Sequence, residues 1–246
     1  MGETSMMTDE GVEQSKLLAI KRGSFAGFPI FLGYLPIAIA YGVLAQQSGL
    51  TTFETTMMSV LVFAGAAQFM AANMFAQGAM LVQIVIATFV LNFRHFIMSM
   101  SFINKVREFP MRWKFGLTLG LTDETFAVSS LNGHEAKKEH STFYFLALIL
   151  IAYIGWVFGS FLGAILGDAL PATLSDSMGI ALYAMFIGLL VPSIKKEWRV
   201  GIIAVAAMGV NYVLMNILAV EVGWAIVIST ILASLLGIVV MKEDEA

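Results

Sequence analysis

Ala79–Ile103 reads AMLVQIVIATFVLNFRHFIMSMSFI, an apolar run long enough to cross a bilayer with Arg94 and His95 near its centre. A guanidinium in hydrocarbon costs about 2.5–3.5 kcal/mol on insertion scales. A chain that keeps one at that depth must shield it with protein or with a water-filled cavity. The stretch reads as a membrane segment, and its charge marks the first place to look for function.

Seven more apolar segments surround it, at 25–45, 55–76, 115–131, 141–167, 178–194, 200–219 and 222–241. Most reach the roughly 17–25 residues that a helix needs to cross a bilayer. Hydrophobic residues make up 59% and charged residues 13%, about half the charge usual in soluble domains. The connecting loops are too short for a soluble domain. The expected fold is all-α: a polytopic helical membrane bundle of about eight hydrophobic segments, one or two of them broken or re-entrant. Residues 23–241 form a single transmembrane domain between polar tails at 1–22 and 242–246.

Several functions are excluded. With no cysteine there is no thiol nucleophile, disulfide framework or cysteine-ligated metal. His95, His134 and His140 lack metal-ligand spacing, and the last two sit in a polar loop where they read as solvated. No Gly-x4-Gly-Lys-Ser/Thr loop exists, so the chain is not a self-contained ATPase. No basic stripe suits nucleic acid. The first apolar run is too long for a cleaved leader and reads as a retained helix.

Lys16, Lys21 and Arg22 put the N-terminus in the cytoplasm by the positive-inside rule. Lys195, Lys196 and Arg199 mark another inner loop, while the loop with Asp168 and Asp176 has no Lys or Arg and faces outward. Eight spans satisfy all of these and return the C-terminus to the cytoplasm. One loop disagrees: Lys105, Arg107, Arg112 and Lys114 fall outside by simple counting. The conflict vanishes if 79–103 breaks near Asn92 into two half-helices and 115–131 is re-entrant, which leaves six full spans. Such backbone is tolerated at depth only where it lines protein or a cavity.

The first span holds Pro29, Gly33 and Pro36. Pro36 frees the carbonyl of Leu32, so the span is either a packed kink or a broken helix whose half-helix ends bind substrate or ion. Phe186–Pro192 faintly echoes Phe31–Pro36, as an inverted repeat would. Gly155, Gly159, Gly163 and Gly167 recur every four residues and form a ridge that must meet another helix, in this chain or in a partner subunit.

On a helix, Thr88, Asn92, His95 and Ser99 share a face, with Arg94 about a quarter turn away. Thr118, Thr122, Thr125 and Ser129 repeat the spacing beside Asp123 and Glu124. Arg94 paired with Asp123 or Glu124 would lower the cost of burying each. The remaining carboxylate, or His95, is then available to change protonation. The plainer alternative is an ion pair that only locks two segments together. Gln68, Asn73, Asn211 and Asn216 read mainly as interhelical ties, although Gly65-Ala66-Ala67 beside Gln68 leaves room for a ligand.

Three stretches together resemble the AzlC family of branched-chain amino acid permeases: Val62-Phe63-Ala64-Gly65-Ala66-Ala67-Gln68-Phe69, Leu91-Asn92-Phe93-Arg94-His95 and Leu121-Thr122-Asp123-Glu124-Thr125-Phe126. The family's first span, rich in proline and glycine, matches here up to Tyr41-Gly42-Val43-Leu44, and Phe93 stands where the family more often has Leu. The resemblance covers roughly residues 20 to 240. It implies the large subunit of a two-component, proton-driven exporter of valine-like neutral amino acids in the bacterial plasma membrane. Its partner is an AzlD-like membrane subunit of about four spans, and no cofactor is implied. Gln68, Asn92, Arg94, His95, Asp123 and Glu124 match the family's characteristic polar positions. In that reading Arg94 holds the substrate carboxylate. Asp123 or Glu124 meets the ammonium or carries the proton, and Met70, Met74 and Met98 line an apolar wall. The competing readings are a channel or assembly scaffold and an intramembrane hydrolase. The hydrolase lacks a His-Glu-x-x-His helix, a serine nucleophile turn and a pair of separated aspartates.

Overall fold

The computed structural model describes residues 9–167, 187–188 and 190–240. Asp168, Asp176, Phe186 and most of the segment 178–194 lie outside the described residues. The helices are α1 (Asp9–Gln47), α2 (Thr52–Val62), α3 (Gly65–Ala76), α4 (Leu81–Lys105), α5 (Met111–Leu119), α6 (Asp123–Leu131), α7 (Ser141–Leu166), α8 (Arg199–Asn216) and α9 (Val222–Val240), with a 3-10 turn at Gly133–Lys137. Among the described residues, α1, α4, α7, α8 and α9 are long and apolar enough to cross a membrane.

Two expectations are corrected. α1 continues through Pro29, Gly33 and Pro36 without a break. Each proline removes a single amide donor, and the ladder of helical bonds resumes on either side. α4 likewise runs unbroken past Asn92. It contains neither Gly nor Pro, and an asparagine alone costs a helix well under 1 kcal/mol.

The breaks fall in the two neighbouring segments. The run 55–76 divides at Phe63, whose φ of 39° ends α2 in the left-handed region, and 115–131 divides at Gly120–Thr122. Their half-helices are 9 to 12 residues long. At 1.5 Å per residue they reach about half of a 30 Å hydrocarbon core. Both pairs fold back. Ser59 bonds to Gln68 across the first tip, and Gly49 beneath it lies against Phe75. Gly49 and Gly78 take positive φ at the two roots, where a side chain would be strained. In the second pair, Lys105 at the root reaches Ser130 at the end of α6, 2.6 Å away. The chain therefore carries two hairpins of short helices, at 52–76 and 111–131, and the break expected in 79–103 falls in the segment before it.

Two compact units make up the chain. Unit 1 joins Met1–Ala38 to Arg94–Gly159, and unit 2 joins Ile39–Phe93 to Ser160–Ala246. In unit 1, Ala19, Phe102, Val106, Phe109, Tyr144 and Phe145 share one buried cluster. That cluster gathers the start of α1, the end of α4 and the start of α7 at one end. A Cβ on Gly23 would clash with the Tyr144 carbonyl, and Gly155 abuts Phe31. α1 and α7 therefore run parallel here, with α4 opposed. The basic connection Lys105–Lys114 thus lies at the same end as Lys16, Lys21 and Arg22.

In unit 2 the glycine ridge also meets α1. A Cβ on Gly163 would strike the Ile39 carbonyl oxygen, and Gly167 sits on Gln46. Gly42 answers from α1, pressed on Ser160 and Ala164. Gly159 is buried in unit 1. α8 packs on α9. Met74, Ala87 and Val227 join α3, α4 and α9.

Candidate functional site at the second hairpin tip

Thr122 turns the second hairpin. Its hydroxyl accepts from the Thr125 amide, while the Thr125 hydroxyl accepts from the Thr122 amide at 2.8 Å, a reciprocal cap on α6. The threonine stripe expected on one continuous helix is therefore half a cap. Its consequence is positional: Asp123 and Glu124 occupy the first turn of α6, where free amides and the helix dipole favour carboxylates.

Arg94 of α4 reaches this turn. Its Nη1 lies 2.6 Å from Asp123 Oδ2, and about a third of each side chain remains accessible. The pair borders open space rather than being sealed in the interior. His95 Nδ1 lies 3.0 Å from the Leu121 carbonyl, freed by the break. A carbonyl only accepts, so Nδ1 carries the hydrogen and Nε2 presents its lone pair. Nε2 of His95, Nε of Arg94 and Oδ1 of Asn92 are buried and have no hydrogen-bond partner among the described residues. Asn92 itself belongs to unit 2.

Glu124 is held differently. The Tyr34 hydroxyl of α1 donates to Glu124 Oε2 at 2.5 Å and sits 2.7 Å from Thr122 Oγ1. Trp156 of α7 packs edge-on against the Tyr34 ring at 5.5 Å. Among the described residues Glu124 forms no ion pair. Sequence reasoning missed Tyr34 and Trp156. The only signal was a hydroxyl midway between Pro29 and Tyr41, well inside a span, where a buried tyrosine needs a polar partner.

Gln68 lies in unit 2, fully buried, as a tie. It donates to Ser59, which donates to Ser160, each at 2.8 Å, and Tyr41 bonds to it from α1. Ala66 and Ala67 beside it are buried. Asn73 bonds to Gln77 and Asn216 to the Tyr212 carbonyl. The loop 132–140 is not simply solvated. Glu135 is buried between Arg22, 3.3 Å away, and Lys138, 2.5 Å away, with His134 also at 3.3 Å. Burial pushes its carboxyl up, but the Lys138 bond and the charges of Arg22, Lys138 and His134 outweigh this and hold it below the ordinary value.

Residues 29–170 match the family model described as AzlC protein, a stretch that contains both hairpins, Tyr34, Arg94, Asp123, Glu124 and Trp156. The chain belongs to the AzlC family. Its relatives include an uncharacterized membrane protein of Archaeoglobus fulgidus, 32% identical over 84% of this chain and 90% of its own length. The branched-chain amino acid transport protein AzlC of Bacillus subtilis is 26% identical, with 75% of this chain and 72% of the relative covered. Inner membrane protein YgaZ of Escherichia coli is also 26% identical, over 69% and 71%. No solved structure matches. These relatives, together with the five helices among the described residues that are long and apolar enough to cross a membrane, mark this chain as a membrane protein.

Proposed function

We propose that this chain is the large subunit of a secondary transporter that exports branched-chain and other small neutral amino acids, driven by the proton gradient. In this reading it sits in the plasma membrane of a bacterium, with both termini in the cytoplasm and a small AzlD-like subunit as partner. The name of the Bacillus subtilis relative supports the substrate class. The observation that carries the reading is the Arg94–Asp123 pair halfway along α4, next to a Glu124 that forms no ion pair among the described residues. A zwitterion needs one fixed charge of each sign within its own length. Arg94 takes the substrate carboxylate through the N–H groups that Asp123 leaves free, and Glu124 takes the ammonium. His95 Nε2, or the carboxylate exchanged when substrate leaves, carries the coupling proton. Met98 supplies part of an apolar wall, and such a wall separates one methylene from the next by only about 1–3 kcal/mol. Val, Leu, Ile and Met should therefore all be carried.

The test is efflux of labelled valine and leucine from proteoliposomes, with and without the small subunit and a proton gradient. Arg94→Ala, Asp123→Asn and Glu124→Gln should each slow efflux at least about tenfold, as expected when a charged hydrogen-bond partner is lost. Efflux unchanged in all three variants would remove the assignment.

A further inference from the structure

Between α1 and α7 in unit 1 lies an apolar groove of about 210 Å³ that the transport reading does not use. Ile20 and Ser24 line it from α1, with Phe143, Ala147, Leu150 and Ile154 from α7. These positions recur every three or four residues, so each helix gives the groove a single face. From Phe143 to Ile154 the groove descends eleven residues, about 16 Å. That is the hydrocarbon depth of one leaflet, half of about 30 Å. Its upper end is basic. Lys16, one turn before Ile20 on the same face, places its ammonium 6.0 Å from the centre of the Phe143 ring. Trp113 and His140 close around that ring at 5.8 and 6.2 Å.

The neighbouring charges leave Lys16 available. Arg22 and Lys138 are engaged by the buried Glu135. Glu13, one turn before Lys16, is not within ion-pair distance of it, and Lys21, Lys137 and Glu139 are likewise unpaired among the described residues. A lysine and aromatic rings at the mouth of a leaflet-deep apolar slot fit one class of ligand. We propose that this groove binds a single anionic phospholipid, with the headgroup phosphate at Lys16 and one acyl chain laid between α1 and α7 down to Ile154. The same basic end of unit 1 carries Lys105, Arg107, Arg112 and Lys114, a charge sign suited to an anionic leaflet.

Native mass spectrometry of the full chain in mild detergent tests this, with phosphatidylglycerol and phosphatidylcholine supplied in equal amounts. The wild type should retain phosphatidylglycerol preferentially. Lys16→Gln should cut that retention about fivefold, the weight of one lysine at an anionic surface, without changing phosphatidylcholine. Ser24→Phe, which fills the slot and leaves Lys16 in place, should reduce both lipids. Equal retention of the two lipids by wild type, or no change in Lys16→Gln, would overturn the proposal. Undiminished retention in Ser24→Phe would overturn the acyl groove and leave a headgroup contact alone. Neither variant touches Arg94, Asp123 or Glu124, so failure here leaves the transport reading standing.

Discussion

Two carboxylates adjacent in sequence have been given different partners, and that difference is the chemistry of the site. Asp123 is neutralised by Arg94, whereas among the described residues Glu124 accepts from Tyr34 and forms no ion pair. If the Arg94–Asp123 pair is merely a lock between α4 and the hairpin, removing both charges together should restore what either loss abolishes. If Arg94 holds substrate, the double variant Arg94→Gln, Asp123→Asn should regain thermal stability, with a coupling of about 0.5–3 kcal/mol, yet remain unable to transport. Tyr34→Phe removes the only described donor to Glu124 and should weaken apparent amino acid affinity about three- to tenfold, while folding is kept, as measured by concentration-dependent efflux. Glu135 offers a separate test, through pH. Its carboxyl is held below the ordinary value of 4.5. Its ion pairs therefore stabilise the protein at neutral pH and are lost only as pH falls through that lowered value. Glu135→Gln should cost about 2 kcal/mol at pH 7, with the gap to wild type closing in thermal melts only as the pH falls below that ordinary value.

At the scale of elements, glycine separates packing from conformation. Gly163→Val should destabilise strongly, since even a Cβ there meets the Ile39 carbonyl of α1. Gly33→Ala should be tolerated, with nothing within 4 Å of the added methyl. Detergent melting curves check both, and a stable Gly163→Val would undo the α1–α7 seam. The seam was legible as a four-residue repeat, though only the fold names α1 as its partner. The two breaks were harder to read. Pro29 and Pro36 looked like breakers but are absorbed by a helix of 39 residues. The real breaks occur at Phe63-Ala64 and Gly120-Leu121-Thr122, where only Gly120 is a recognised breaker. The Thr122-Asp123-Glu124-Thr125 run was a helix start in plain view: a capping residue followed by acids in the first turn. Its 4-3-4 threonine spacing mimicked a helix face and masked the cap. Arg94, His95 and Asp123 were findable because charge in an apolar run is costly. Tyr34 and Trp156 were not, because aromatic residues in a membrane segment are ordinary until a carboxylate is found beside them.

For the molecule as a whole, re-entrant hairpins and full spans predict different sides for the same residues. The natural sequence has no cysteine, so single cysteines can be placed without background labelling. Gln47 ends α1 and Gln77 follows α3, both exposed. If 52–76 were a crossing, cysteines at these two positions would label from opposite faces of the membrane. As the two roots of one hairpin, they should label from the same face, opposite to a cysteine at Gln14 near the start of α1. Glu108 and Gly133 flank the second hairpin, and the shared cluster of Phe109, Tyr144 and Ala19 holds its root at the α1 start. Cysteines there should label together with Gln14→Cys, from the cytoplasm if the basic end obeys the positive-inside rule. Impermeant maleimide applied to intact cells and to inverted vesicles reads all five positions. Opposite labelling of Gln47→Cys and Gln77→Cys would restore a full crossing at 52–76. The 105–114 loop would then face the wrong side for its charge.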